Sequence, residues 1–182
     1  MLQGPTIRVR RAERTDLPTL TAWNGDIEMN GEFEGFGQAS LSQMEKEFEA
    51  DADERWYLVE TAAGSAIGYV AHGKCGGGCW IGYQLVPEMR GRGIGTEVVQ
   101  LIVDYLFLHK DIGRIQAETH PANVASRRVL EKTGFSFEGL IRRSYFSRGV
   151  WRDTAMHSIL REEWASPKLL PAGYQPPVQS PA

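Results

Sequence analysis

Residues 87–96 read PEMRGRGIGT, and no other stretch restricts the fold so tightly. Glycines stand at every second position, 91, 93 and 95, directly ahead of a helical pattern. Each glycine loses more backbone freedom on folding than any other residue, so three together need a reason. Downstream, Val98, Leu101, Ile102, Tyr105 and Leu106 fall at i, i+3, i+4, i+7 and i+8, which predicts a helix with one buried stripe. Upstream, CWIGYQLV (79–86) reads as a strand ending at Pro87. Strand, glycine loop and helix together make a ready anion site. The first N–H groups of a helix have no partner inside it, and its dipole adds partial positive charge there. Glycines also remove the Cβ atoms that would hold a phosphate away. The plain alternative is a tight turn with no ligand.

Two nucleotide motifs fail on residues. A P-loop requires Gly-Lys-Ser/Thr, and this loop has no lysine. The dinucleotide fingerprint requires glycine where Thr96 stands, and it opens the first βα unit, whereas this loop follows three or four strands.

The remaining sequence predicts one mixed α/β domain over residues 1–164. Strands are expected at 6–11, 56–60, 66–71, 79–86, 114–118, 135–143 and 154–160, and helices from 15 to about 24, from 41, after 95 and over 123–132. This gives a sheet of six to seven strands with about four helices on its faces. Five of the nine prolines fall in residues 165–182, predicting a flexible proline-rich tail.

Charge argues against one large class, with only a local basic patch left open. The chain carries 20 basic and 23 acidic side chains, net −3, too little positive charge for a general nucleic-acid field. No run of 18 apolar residues occurs, so no membrane-spanning helix is expected. MLQGPTIRVR lacks the apolar core of a signal peptide, and a cytoplasmic location is the expectation. Cys75 and Cys79 flank three glycines; two thiols cannot close a four-ligand zinc site, and they are expected to be free, with no metal.

Arg90-Gly91-Arg92-Gly93-Ile94-Gly95 resembles the Arg/Gln-x-x-Gly-x-Gly/Ala pattern of the GNAT superfamily of acyl-CoA-dependent N-acetyltransferases. The resemblance runs from TIRVRRAERTDLPTL to HSILREEW, and NVASRRVLEKTGF, EGL and WRD (151–153) make it similar to the Rim-type, ribosomal-protein-alanine N-acetyltransferase-like branch. It implies a GNAT-type, mostly antiparallel sheet, acetyl-CoA as co-substrate, and transfer to an amine, either a protein N-terminus or a small molecule. Homodimers are frequent in such families, and the exposed faces of the last two strands are the natural place for one.

Residue by residue, the resemblance puts the coenzyme pyrophosphate on the backbone N–H groups of Arg90, Gly91, Arg92, Gly93, Ile94, Gly95 and Thr96. The Arg90 and Arg92 side chains add charge or simply stay solvated. Gln84, Leu85 and Val86 run beside the pantetheine arm, one N–H polarising the thioester carbonyl. Glu118 matches the glutamate base, with His120 as rival. Asn123 matches the residue that holds a pantetheine amide, a role compatible with a plain helix cap. Ser126 matches a serine near the departing sulfur. Some members carry a tyrosine acid seven residues after the asparagine, but here Leu130 stands there, leaving Ser126, with Tyr145 in reserve. The loop GEFEGFG, with Glu32, Phe33, Glu34 and Phe36, lies where the family receives its amine. The loss of that tyrosine motivates an alternative, a non-catalytic acyl-CoA-binding sensor or interaction module.

Overall fold

The structure, a computed structural model, describes residues 1–35, 37–50 and 54–169. Eight strands form one sheet in the order β1-β2-β3-β4-β5-β6-β8-β7. They are β1 (Leu2–Gln3), β2 (Ile7–Arg11), β3 (Arg55–Thr61), β4 (Ala66–Cys75), β5 (Gly78–Leu85), β6 (Arg114–Thr119), β7 (Ser136–Ser147) and β8 (Val150–Leu160). All neighbours are antiparallel except β5 and β6. The helices are α1 (Leu17–Asn24), α2 (Ile27–Asn30), α3 (Leu41–Ala50), α4 (Ile94–His109) and α5 (Val124–Lys132). The expected mostly antiparallel mixed sheet is observed, with one strand and one helix more than the sequence suggested. β1 has two residues and α2 a single turn, both too short for a periodic pattern. α2 forms because Asp26 Oδ1 accepts from the N–H groups of Glu28 (2.7 Å) and Met29 (3.2 Å).

The β7–β8 pair is longer than predicted and runs to a two-residue turn. Arg148 (φ 53°) and Gly149 (φ 79°) both adopt the left-handed conformation that such hairpins require. A bulge between Ile141 and Tyr145 is held by Asp153 Oδ1, which accepts from Arg143 N–H at 2.9 Å.

α4 is the crossover that parallel β5 and β6 require, and it is buried almost all round rather than along one stripe. Its apolar residues pack with Ile7, Val9, Val59, Ile81, Leu85, Ile115 and Leu130 in the main core. Asp104, fully buried, carries the polar side. Its Oδ1 accepts from Trp164 Nε1 (2.9 Å) and Gln100 Nε2 (3.1 Å), and its Oδ2 from the N–H groups of Lys168 (2.8 Å) and Leu169 (2.9 Å). Residues 168–169 of the expected tail are therefore bonded to the domain; residues 170–182 lie outside the described residues.

Both ends of α4 are fixed. Glu97 accepts from the N–H groups of Thr6 (2.8 Å) and Ile7 (3.2 Å). Arg161 donates to the carbonyls of Phe107 (2.8 Å), Lys110 (2.5 Å) and Ile112 (2.8 Å), satisfying the helix C-terminus and the loop beyond. The helix that starts at the glycine loop is thus a rigid mount. On the other sheet face, α1 and α3 cover Leu58 with Leu17, Leu20 and Met44.

Candidate active site

β5 and β6 stay together only briefly. Their parallel register holds Cys79 against Ile115 and Trp80 against Gln116; beyond this, β5 continues with β4 and β6 with β8. The rest of β5 therefore has an open edge facing β6. Val86 N–H donates to Ile67 O at 2.9 Å, so by antiparallel alternation Gln84 also turns its N–H towards β4, while Tyr83 and Leu85 turn theirs to the gap. Of Gln84, Leu85 and Val86, only Leu85 presents a donor to the gap, so it is the candidate for the one N–H expected to face a thioester.

The glycine loop sits past the end of β5. Gly91 (φ 74°) and Gly93 (φ 83°) are left-handed, and a Cβ there would meet nothing within 4 Å. Backbone conformation, not crowding, demands them. Gly95 differs: its Cβ would lie 3.4 Å from Val129 Cγ2, so it permits the close approach of α5. Arg90 N–H donates to Pro87 O, and Thr96 and Glu97 N–H to Gly93 O. The expectation that residues 90–96 all offer N–H groups narrows accordingly: Gly91, Arg92, Gly93, Ile94 and Gly95 have no acceptor among the described residues. The Arg90 side chain is exposed, yet two of its guanidinium nitrogens are bonded within the protein. Its Nε donates to Leu85 O (2.9 Å) and its terminal nitrogen to the carbonyls of Met29 (2.5 Å) and Glu28 (3.3 Å). Arg92 is exposed and remains the loop's uncommitted cation.

α5 begins beside this loop. Asn123 Oδ1 accepts from Ser126 N–H at 3.0 Å, the helix cap expected of it. Ser126 Oγ lies 3.0 Å from the hydroxyl of Tyr83, a residue the sequence reading passed over. Cys79, Ile81, Tyr83 and Leu85 alternate onto the α4 face of β5, and Tyr83 carries the lone hydroxyl among them, a legible signal. Burial pushes its phenol up to about 12. Leu130, the position of the missing tyrosine, is fully buried core.

The opposite sheet face carries the residues expected to receive the amine. Ile115 and Ala117 join the α4 core, so Glu118 turns to the other face, exposed, opposite Met156 of β8. Gln84 shares that face; its Nε2 donates to Asn30 Oδ1 (3.2 Å) and its buried Oε1 has no partner among the described residues. Phe33 stacks on His120, ring centroids 4.9 Å apart and planes within 20°. Tyr145 donates its hydroxyl to Phe33 O at 2.9 Å, and Arg148 donates to Gly31 O. The loop is thereby pinned over the ends of β6 and β7. Tyr145 has spent its proton on that contact, and His120 Nδ1 accepts from Ala122 N–H (3.1 Å). Glu32 and Glu34 are exposed as residues, yet lost solvation around the Glu34 carboxylate raises its pKa. Phe36 lies outside the described residues.

These parts suit an acylated, diphosphate-bearing co-substrate: unpaired N–H groups at one end, an open strand edge in the middle, and a carboxylate and an acidic loop on the far face. A cavity of about 490 Å³ lies elsewhere, between Leu17, Leu20, Met44, Phe48 and Trp56, and touches none of them. Cys75 and Cys79 are free thiols, and no cluster of metal-ligating side chains occurs among the described residues. No described helix is long and apolar enough to cross a membrane.

Comparison with known proteins identifies the family and the fold. Residues 6–136 match the model of the acetyltransferase (GNAT) domain. The chain is 33% identical over 178 residues to a Bacillus subtilis (strain 168) protein named "Probable N-acetyltransferase YjcK", covering 90% of this chain and 98% of that one. It is 28% identical over 86 residues to the [ribosomal protein uS5]-alanine N-acetyltransferase of Escherichia coli (strain K12), covering 47% and 44%. Among solved structures, the spermidine N-acetyltransferase of Vibrio cholerae in complex with CoA and spermine superimposes with a TM-score of 0.79 at 24% identity, over 87% of this chain and 97% of that one.

Proposed function

Because the chain belongs to the GNAT acetyltransferase family, we propose that its glycine loop and β5 hold acetyl-CoA while the loop at 31–35 delivers a cationic amine to Glu118. The reaction is acetyl transfer from acetyl-CoA to an amine. The observation that carries the site is the open edge of β5 beyond Trp80, with the Leu85 N–H aimed into the gap. Residues 91–95 bind the pyrophosphate with their unpaired N–H groups, and Arg92 adds charge. The Asn123 carbonyl oxygen is spent on the helix cap, which leaves its NH₂ for the pantetheine amide. Leu85 N–H donates to the thioester oxygen, where negative charge develops as the amine attacks.

An amine with pKa near 10 arrives mostly protonated at neutral pH, so a proton must leave before nitrogen attacks. Glu118 takes it, directly or through water, on the face where Gln84 Oε1 offers the amine an acceptor. Glu32, Glu34 and Phe33 favour a small amine with further positive charge over a neutral one. Residues 1–164, with residues 168–169 bonded to them through Asp104, make up the catalytic domain, which we place in the cytoplasm. Phe137, Leu140, Ile141, Phe146, Val150 and Trp151 are exposed apolar side chains on edge strand β7 and its partner β8, and they support a homodimer through this hairpin.

The test measures release of coenzyme A thiol with a panel of spermidine, spermine, monoamines and alanine-initiated peptides. Polyamines should outpace the peptides, and Glu118→Gln should lower kcat on the order of a hundredfold, the usual contribution of a general base. Unchanged turnover of Glu118→Gln across the pH range would remove Glu118 as the base; faster peptides would reassign the acceptor to a protein N-terminus.

A further inference from the structure

The hydroxyls of Tyr83 and Ser126 lie 3.0 Å apart and join β5 to the first turn of α5, beyond the point where β5 and β6 part. The Tyr83 hydroxyl also lies within a longer 3.4 Å of Ser126 O, and among the described residues no other side chain bonds β5 to α5. Ser126 is held from two directions, its N–H by Asn123 Oδ1 and its hydroxyl by Tyr83. Tyr83 is fixed as well, since its ring packs against the main core and Gly95 lies 3.9 Å from its ring edge when given a Cβ.

We infer that Tyr83 is a positioning residue for acetyl transfer, donating its hydroxyl hydrogen to Ser126 Oγ so that the Ser126 proton points at the departing sulfur. The inference rests on the functional reading above. As the new N–C bond forms, the C–S bond breaks and sulfur leaves with the electron pair; the amine proton goes to Glu118. Ser126 stabilises the thiolate by a hydrogen bond and keeps its own proton.

Tyr83 is not the acid itself. Its phenol, pushed up to about 12 by burial, would have to protonate a thiolate of pKa about 8.5, uphill by more than a thousandfold. A donor that stays protonated at every working pH is instead well suited to fixing which way a serine hydroxyl faces. Without it, Ser126 is free to rotate and to donate to its own helix carbonyls.

The experiment compares wild type, Tyr83→Phe, Ser126→Ala and the double variant in two assays. One is steady-state acetylation; the other titrates the thiol of bound coenzyme A by its thiolate ultraviolet absorbance and needs no acceptor. Tyr83→Phe should lower kcat roughly fivefold, as loss of one net hydrogen bond does, with the KM for acetyl-CoA unchanged. It should also raise the pKa of the bound thiol. The double variant should match Ser126→Ala, because the two residues act through one contact. A bound thiol that titrates identically in wild type and Tyr83→Phe would overturn the inference while leaving the acetyltransferase reading intact. So would additive losses in the double variant. Should Tyr83→Phe fail to fold, an unshifted thiol in Ser126→Ala overturns it equally. Wild-type protein that binds no coenzyme A would sink the functional reading, and this inference with it.

Discussion

Arg90 Nε donates to Leu85 O at 2.9 Å, and the same guanidinium reaches back to the carbonyls of Met29 and Glu28. The first arginine of the glycine loop thus fastens the end of β5 to α2 and fixes the residue whose N–H faces the gap. Arg90→Ala should cost about 1–2 kcal/mol in unfolding free energy and lower kcat, since both strand end and loop lose their tie. Arg90→Lys should not restore it, because an ammonium cannot serve three carbonyls spread over two elements. Arg92→Ala should leave the unfolding midpoint in place and raise the KM for acetyl-CoA in a salt-dependent way. The reverse pattern in thermal unfolding and kinetics would exchange the two roles.

The three glycines separate by the same logic. Gly91→Ala and Gly93→Ala place a Cβ in open space at φ 74° and 83°, so the cost is conformational, about 1–2 kcal/mol each. Both should raise the KM for acetyl-CoA, since the loop must shift to relieve the strain. Gly95→Ala lies inside α4, where alanine gains roughly 0.5–1 kcal/mol over glycine, against a 3.4 Å approach to Val129. Its stability should stay near wild type. Chemical denaturation of the three variants checks the ordering.

The legibility of this fold followed its periodicities. Strands with alternating side chains and helices with a clear stripe were readable, whereas β1 and α2 were not, since each spans only about one period and shows no repeat. The glycine loop was readable because its residues are rare in combination. The donor pattern around it was not: whether an N–H is free depends on carbonyls such as Pro87 O and Gly93 O, whose positions follow from turn geometry. The sequence left Arg90 open between a phosphate contact and a solvated cation because its three carbonyl partners come from 5, 61 and 62 residues away. Tyr83 stands out in the sequence as the lone hydroxyl on its face of β5, but its meaning needs Ser126 of another element.

The Asp104 carboxylate offers a test of how the chain beyond β8 holds α4. Two backbone N–H groups and the Trp164 indole converge on it, with Gln100 as a fourth donor. Asp104→Asn replaces an accepting oxygen with a donating NH₂ opposite donors, leaving buried groups unpaired. The expected loss is about 2–4 kcal/mol. Trp164→Phe removes one donor and should cost about 1 kcal/mol, as a single net hydrogen bond does. The two effects should be non-additive, because Asn has already weakened the contact that Trp164 makes. Additivity in denaturant unfolding would mean that Trp164 acts through its packing on Phe107 instead.

Acid stability turns on His72, 5% exposed in the core between β3, β4, β5 and α4. Its Nε2 lies 3.3 Å from Tyr57 Oη and its Nδ1 3.7 Å from Cys79 Sγ, while Tyr105 packs against the ring. Burial, followed by the charges of Lys110 and Arg55, depresses its pKa from 6.5 to about 4. No carboxylate is among the groups that shift it. In the unfolded chain the imidazole binds a proton at about pH 6.5, and in the folded chain only near 4. Between these values the unfolded state holds more protons, so stability falls as pH drops through that window and is fully present above it. A displacement of this size corresponds to on the order of 3 kcal/mol. Buried His157, whose pKa is also lowered, adds to the slope with the same sign. His72→Gln removes the titrating group while keeping a polar partner for Tyr57. Its unfolding free energy should therefore vary less between pH 6.5 and 4 than that of wild type, with the remainder coming from His157 and, near pH 4, from Asp16 and Glu138, whose pKa values are also lowered. Equal slopes for the two proteins in denaturant titrations across that range would show that His72 reaches solvent when protonated and does not control acid unfolding.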